Sequence, residues 1–278
     1  TDIGTKLVDA WLERLVIHPE LHDKVEFDVA TTVLSFDFNK QIIDVTHDLV
    51  AAYKPQFAFY EALGIFGLQA LKETISYIRN VNPNIIIIGD AKRGDIGSTA
   101  KAYAHSLFEF WDVDIATVNP YMGMDTLLPY LEYNDRGIFV VCRTSNSGSG
   151  ELQNLVVFDD EKKKLFEFVA DLTFGISDGS NVGLVVGATY PEDVKIIREK
   201  HPQVPILIPG VGAQGGDLHA CVKGAVDSMG KGFLINASRS IIFATKNPVD
   251  YPNITRKRAL ELRNAINESL QKLEGESV

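Results

Sequence analysis

The chain has 278 residues, 45% hydrophobic and 23% charged, which is enough apolar material for the core of one large α/β domain. Its formal net charge of -10 argues against nucleic acid or an acidic membrane surface as a partner. No 18 apolar residues run together, and residues 1–17 lack the pattern of a secretory signal, so we expect neither a spanning helix nor export.

The N-terminal third of the chain favours helices. Apolar residues recur at helical spacing over residues 1–21, although residues 15–17 also suit a very short strand that His18 and Pro19 would end. A charged, irregular stretch follows, and a second helix is predicted over about residues 33–53.

Beyond that point a unit of apolar strand, polar or glycine-rich break and amphipathic helix repeats. The predicted strands lie near residues 56–59, 85–88, 115–118, 138–142, 183–186, 206–208 and 233–235. The predicted helices include residues 67–79, 99–110, 164–174 and 192–199, and a last helix over 255–274 with Thr255 as its N-cap. With an eighth strand from the N-terminal third, the pattern predicts a single (β/α)8 TIM barrel over residues 1–278.

The stretch with the strongest chemical signal is residues 85–95, which read IIIIGDAKRGD. Four isoleucines predict a strand buried on both faces. Asp90 and Lys92 then point to the same face, and Gly94 allows a turn that brings Asp95 near them. Because strand ends carry the reactive groups of a barrel, we interpret this cluster as catalytic. The alternative is a set of surface ion pairs on a turn.

A second signal lies in the loops after the last two strands. Residues 209–216 read PGVGAQGG, a loop that can present backbone N–H groups to an anion. Arg239 follows the final strand and can grip two phosphate oxygens, while Gln214 can donate another hydrogen bond. This pattern predicts a phosphate site, the alternative being glycines that serve only tight turns.

Five stretches together resemble the orotidine 5′-monophosphate decarboxylase family, specifically its second bacterial-type subfamily. They are residues 54–61 (KPQFAFYE), 90–97 (DAKRGDIG), 142–146 (CRTSN), 185–189 (VVGAT) and 209–217 (PGVGAQGGD). The resemblance implies decarboxylation of orotidine 5′-monophosphate to uridine 5′-monophosphate, the last step of de novo pyrimidine synthesis. It also implies that no cofactor or metal is needed and that the protein is a homodimer with shared active sites.

The resemblance also implies individual roles. Lys92 would be the proton donor, Asp90 the carboxylate facing the substrate's leaving carboxylate, and Lys54 a further member of the charged array. Asp95 and Thr99 would reach into the partner's site. The remaining substrate-binding residues would be Ser145 for the pyrimidine, and Gln214 and Arg239 for the 5′-phosphate.

One feature departs from the family pattern. The family's first strand normally ends in a Gly-Leu-Asp-Pro-like segment, whose Asp would bind the strand-two lysine and the ribose. Residues 14–21 here read RLVIHPEL and lack that Asp. Asp37 falls at the start of the family's first helix and does not inherit the role, so either His18 or a nearby acid substitutes or the first strand is altered.

Two other functions are compatible with these motifs. A magnesium-dependent sugar-phosphate decarboxylase of the same suprafamily would use the same D-x-K-x-x-D motif. A catalytically silent barrel could bind a nucleotide or serve only as a dimer.

The two cysteines, Cys142 and Cys221, lack metal-ligand spacing, which fits a reducing, cytoplasmic setting.

Overall fold

The computed structural model describes residues 22–157, 162–176, 181–211, 217–245, 247 and 250–276. Its strands are β1 Ala52–Tyr53, β2 Ile86–Arg93, β3 Ile115–Val118, β4 Gly137–Arg143, β5 Val182–Val186, β6 Ile206–Pro209 and β7 Phe233–Asn236. Its α-helices are α1 His22–Thr46, α2 Phe57–Glu61, α3 Gly64–Val81, α4 Gly97–His105, α5 Leu128–Leu131, α6 Gly150–Gln153, α7 Leu165–Gly175, α8 Pro191–Lys200, α9 Leu218–Ala225, α10 Arg239–Ile242 and α11 Tyr251–Glu276.

The described strands form one parallel sheet in which chain neighbours are also sheet neighbours, from β1 to β7. Such an order with helices between strands is that of an α/β barrel, which confirms the predicted fold class. Six of the seven predicted strands lie where the sequence pattern puts them, within one or two residues at most ends; β2 extends further, to Arg93.

Two apolar layers cover the sheet. Ile85 and Ile87 belong to the larger core cluster, together with side chains of the surrounding helices. Ile88 belongs to a second cluster that consists only of strand residues, including Phe139 and Val185. Because alternate strand residues face opposite sides, the second cluster fills the inner face of the curved sheet. The isoleucine run is therefore buried on both faces, as predicted.

The prediction of a strand at residues 56–59 is wrong. These residues begin α2, and the strand lies earlier, at Ala52–Tyr53, where its register with Ile86 and Ile87 is fixed. The Gln56 side chain accepts a hydrogen bond from the Ala58 N–H and so caps α2. Phe57 is buried while Phe59 is 75% exposed, a one-sided pattern that a short helix tolerates at the rim of the sheet.

Other boundaries also differ from the prediction. The second predicted helix, over 33–53, is instead α1, which runs from His22 to Thr46 and contains an exposed Asp37 near its middle. The last helix begins at Tyr251, so Thr255 is not its N-cap. Thr255 is fully buried inside that helix, and its hydroxyl donates to the Ile241 carbonyl over 3.5 Å. The predicted helix 99–110 is divided into α4 and a π-helical turn, Ser106–Phe110.

A cleft of about 600 Å³ lies between β1 and β7, lined by residues that include Phe38, Ile42, Tyr53, Asn236 and Ile241. Within the described part of the chain, no strand pairs with the open edges of β1 and β7.

Several predictions lie outside the described residues. They are the helix over 1–21, the alternative strand at 15–17, the role of His18 and the eighth strand from this region. None of the helices that the structure describes is both long and apolar enough to cross a membrane.

Candidate active site at the carboxyl ends of the strands

The carboxylate of Asp90 is the centre of the candidate site. Lys54 donates a hydrogen bond to its Oδ2 atom, and Gln56 Nε2 donates to the same oxygen over 3.0 Å. Lys92 Nζ donates to Oδ1 over 2.6 Å, and the Thr117 hydroxyl donates to Oδ1 over 3.0 Å. Two of these four donors follow β1, one lies in β2 and one in β3. Together they fix one buried carboxylate between two ammonium groups.

The register of the parallel strands brings these residues together. Gln56 forms a parallel bridge with Asp90, and the Asp90 N–H donates to the Pro55 carbonyl over 3.0 Å. The chain just after β1 therefore runs beside the end of β2, which places Lys54 against Asp90. Among the described residues, Lys54 forms no ion pair with a second carboxylate.

The backbone of Lys92 is in an uncommon conformation, with φ of 46°. It lies where the pairing of β2 with β3 shifts register between Gly89 and Arg93, and its N–H donates to Thr117 Oγ1 over 2.9 Å. A non-glycine residue in this region is strained, and such strain is concentrated at functional sites. The bulge leaves the Lys92 side chain 44% exposed, against 13% for Lys54 and 7% for Asp90, so Lys92 is the member that a ligand can reach.

The electrostatics of the cluster favour ionised Asp90. Burial alone would raise the pKa of this carboxyl, but the ammonium groups of Lys54 and Lys92 together hold the pKa below its ordinary value. Asp90 is therefore a permanent negative charge at neutral pH.

Asp95 and Thr99 lie one turn further along the chain. Asp95 is half-buried, and its Oδ1 accepts a hydrogen bond from the Ile96 N–H over 2.8 Å. Thr99 is exposed in the first turn of α4. Among the described residues, Asp95 and Lys92 form no ion pair, so the turn at Gly94 does not by itself complete the expected carboxylate–ammonium–carboxylate array within one chain.

Ser145 lies in a turn, residues 144–146, that follows β4. Thr189 Oγ1 donates to the Ser145 carbonyl over 3.3 Å. A Cβ atom added to Gly187 would lie only 2.8 Å from the Ser145 backbone nitrogen. The turn is therefore packed directly against the end of β5, and the absence of a side chain at Gly187 allows this close approach.

The two loops of the predicted phosphate site follow neighbouring strands. Pro209 at the end of β6 pairs in register with Asn236 at the end of β7. Arg239 begins α10 and is exposed. Gln214 lies outside the described residues, so its pairing with Arg239 stays a prediction.

The chain is similar to known proteins over most of its length. A family model described as Orotidine 5'-phosphate decarboxylase / HUMPS family matches residues 27–251. The chain belongs to this family.

Its relatives share most of the length. The orotidine 5′-phosphate decarboxylase of Cellvibrio japonicus is 46% identical over 233 residues, which are 84% of this chain and 83% of the relative. The solved structure of Leishmania donovani OMP decarboxylase is 38% identical with a TM-score of 0.76, covering 86% of this chain and 88% of that one. The UMP synthase structure of the same organism is 40% identical with a TM-score of 0.78, but the match spans 86% of this chain and only 51% of that one.

The sequence pattern does not identify two of the residues that donate to Asp90, Gln56 and Thr117. It places Gln56 in a strand, and Thr117 in an apolar strand. The available signal was the polar side chain of Thr117 within residues 115–118 (IATV), since a buried hydroxyl needs a partner.

Among the described residues, no group of three or more His, Cys, Asp and Glu side chains is arranged to hold a metal ion.

Proposed function

We propose that the chain decarboxylates orotidine 5′-monophosphate to uridine 5′-monophosphate, the last step of de novo pyrimidine synthesis, without a cofactor. The observation that carries the proposal is the buried Asp90 carboxylate held between the ammonium groups of Lys54 and Lys92. It occurs in a chain that matches the decarboxylase family over residues 27–251.

The chemistry requires a cation at the reacting carbon. Loss of CO₂ from an sp² ring carbon breaks the C–C bond and leaves its electron pair in the ring plane, where delocalisation helps little. The Lys92 ammonium stabilises this developing charge and then donates its proton to the same carbon. Exposure of Lys92 at the mouth of the sheet is consistent with this role.

Asp90 has two tasks in this proposal. It orients the Lys92 ammonium, and it faces the substrate carboxylate. That contact between like charges is relieved as CO₂ leaves, although preorganised charge is the larger effect that enzymes use. Lys54 and Gln56 hold Asp90 in place on its other oxygen.

The remainder of the substrate would be bound by the neighbouring strand ends. Ser145 would contact the pyrimidine, and Arg239 and Gln214 the 5′-phosphate. Phosphate binding lies away from the reacting carbon, so its binding energy would act through orientation and closure of the site.

We further propose that the protein is one barrel domain that works as a homodimer, with Asp95 and Thr99 completing the partner's site. The absence of an Asp95–Lys92 ion pair among the described residues supports this role. Ile96 and Phe110, which are 61% and 57% exposed, offer apolar surface beside Asp95 and after α4. The two buried free cysteines are consistent with a reducing, cytoplasmic compartment.

The experiment that tests the function is a spectrophotometric assay of orotidine 5′-monophosphate loss by purified protein in excess chelator. We expect turnover that the chelator does not change. Activity that the chelator abolishes, with turnover of a sugar phosphate, would instead support the magnesium-dependent alternative. Binding of uridine 5′-monophosphate without any turnover would identify a catalytically silent barrel.

A further inference from the structure

Arg143, the last residue of β4, is a large buried polar side chain that the Asp90 cluster does not use. Its side chain is 2% exposed, and its Nε donates to Asp193 Oδ2 over 2.8 Å. The guanidinium also lies over the Tyr190 ring, 3.8 Å from its centroid. Burying such a pair gives little net stability compared with apolar packing, so stability alone is a weak reason for it.

The other edge of the guanidinium faces the loop after β4. Arg143 Nη1 donates to Ser149 Oγ over 3.0 Å and to Gln153 Oε1 over 3.2 Å. Gln153 Oε1 also accepts from the Thr144 N–H over 2.9 Å, and its Nε2 donates to Thr144 Oγ1 over 2.8 Å. The Gln153 amide thus joins the buried Arg143 cation to the N–H and the hydroxyl of Thr144, the first residue in the turn.

The same turn is held from its opposite side. Thr189 Oγ1 donates to the Ser145 carbonyl, and Gly187 leaves room for the Ser145 backbone. Within the turn, the Thr144 hydroxyl donates to Asn146 Oδ1 over 2.7 Å. Residues 144–146 are therefore fixed by the end of β4, by Gln153 and by the residues that follow β5, at the position where the base is expected.

We propose that Arg143 and Gln153 are positioning residues for base recognition: they hold the turn of residues 144–146 in the geometry that contacts the pyrimidine. This inference rests on the proposed function, because it takes a pyrimidine nucleotide as the ligand. Neither side chain needs to touch the substrate. Arg143 orients the Gln153 amide, and Gln153 orients the turn.

The test uses Gln153→Ala, since Gln153 is half-buried and its loss is less disruptive than loss of Arg143. Glu151→Ala on the same short helix is the matched control, because Glu151 is exposed. Binding of uridine 5′-monophosphate and of ribose 5-phosphate is measured for each protein. For Gln153→Ala we expect about tenfold weaker binding of the nucleotide, from the lost hydrogen bonds, with ribose 5-phosphate unchanged within about twofold.

Gln153→Glu tests the geometry, because a carboxylate can still accept from Arg143 and the Thr144 N–H. It should retain nucleotide binding within about threefold of the parent. Equal weakening of both ligands in Gln153→Ala, or no weakening of either, would overturn the proposal.

A second measurement separates this proposal from the proposed function. Amide hydrogen exchange of a peptide that contains residues 144–149 should be faster in Gln153→Ala than in the parent, and unchanged in Glu151→Ala. Unchanged exchange in Gln153→Ala contradicts positioning of the turn, whether or not the protein turns over substrate. Parental protein that fails to decarboxylate orotidine 5′-monophosphate contradicts the proposed function alone.

Discussion

At the scale of single residues, the ionisation of Asp90 determines how the two lysines are held. Its pKa in the folded protein lies below the ordinary value, so the ionised form favours the folded state. The resulting stability is present above the unfolded pKa of about 4 and is lost as the pH falls through the lower folded value.

The expected consequence is a pH-dependent difference between the parent and Asp90→Asn. The free energy of unfolding of the parent, relative to that of the variant, should be the same at pH 7 and pH 5. It should fall as the pH drops below about 4, because the Asp90 carboxyl of the unfolded chain takes up a proton there while that of the folded protein is still ionised. Urea unfolding at several pH values measures this difference, and a relative stability that rises on acidification would contradict the assignment.

Arg239 is exposed and begins α10, so its removal should not disturb the core. If it binds the 5′-phosphate, Arg239→Ala should weaken uridine 5′-monophosphate binding by roughly 10- to 100-fold, as expected for a hydrogen bond to a charged group. Binding of uridine, which has no phosphate, should be unchanged. Titration calorimetry with both ligands checks this.

Arg258→Ala is the matched control for that experiment, because Arg258 is an exposed arginine that pairs with Glu261 on the last helix. It should leave both affinities unchanged. A loss of uridine binding in Arg239→Ala as steep as the loss for the nucleotide would exclude phosphate recognition.

The sequence was sufficient to predict Asp90 and Lys92 as a pair, because residues two positions apart in an extended strand share a face. It was not sufficient to predict that Gln56 and Thr117 donate to the same carboxylate. Those contacts depend on the register of β2 with its two neighbours, including the shift between Gly89 and Arg93, which no local pattern encodes. The strained backbone of Lys92 depends on the same shift.

At the scale of elements, the turn of residues 144–146 packs closely on the end of β5. We therefore expect a side chain at Gly187 to be destabilising. A Cβ at this position would meet the Ser145 backbone nitrogen at 2.8 Å. Gly187→Ala should therefore lower the free energy of unfolding by about 1–3 kcal/mol through overpacking and should also weaken nucleotide binding. Thermal unfolding and a binding titration measure the two effects.

Gly175→Ala is the control, since Gly175 ends α7 with no atom within 4 Å of an added Cβ. This change should be neutral or slightly stabilising, because alanine favours a helix over glycine. If Gly187→Ala behaves like Gly175→Ala, the turn is not packed as tightly as the structure indicates.

Element boundaries were predicted well where the apolar strands are long and poorly at the first strand. Residues 57–59 are aromatic or apolar, a composition that strands and buried helices share. The true strand, Ala52–Tyr53, has only two residues and carries no alternation to recognise. Its pairing with Ile86 and Ile87 fixes it, and such a long-range contact is absent from any local window.

At the scale of the whole molecule, the proposal requires two chains for each site. If Asp95 serves the partner's site, then inactive Lys92→Ala and Asp95→Ala chains should restore activity when they are refolded together. A mixed dimer has one site with both intact residues, so random equal mixing gives at most about a quarter of parental activity. The assay compares the mixture with each variant alone, and no recovery in a mixture shown to contain mixed dimers would mean that Asp95 serves its own chain.

The alternation of strands and helices was sufficient to predict the parallel sheet that the described residues form, because crossover connections leave few other topologies. The eighth strand and the group that replaces the family's first-strand Asp stay predictions, since the segment that would hold them lies outside the described residues. Within the described part, the carboxylate paired with Lys54 is Asp90, and Asp37 is exposed on α1.

If Lys92 delivers the proton to the carbanion, its removal must abolish catalysis, and turnover of orotidine 5′-monophosphate by Lys92→Ala measures this directly. Lys195→Ala is the control, because Lys195 is an exposed lysine on α8. We expect less than a few per cent of parental turnover for Lys92→Ala, with folding preserved and the product still bound, and full turnover for Lys195→Ala. A folded Lys92→Ala protein that retains more than a few per cent of parental turnover would contradict it.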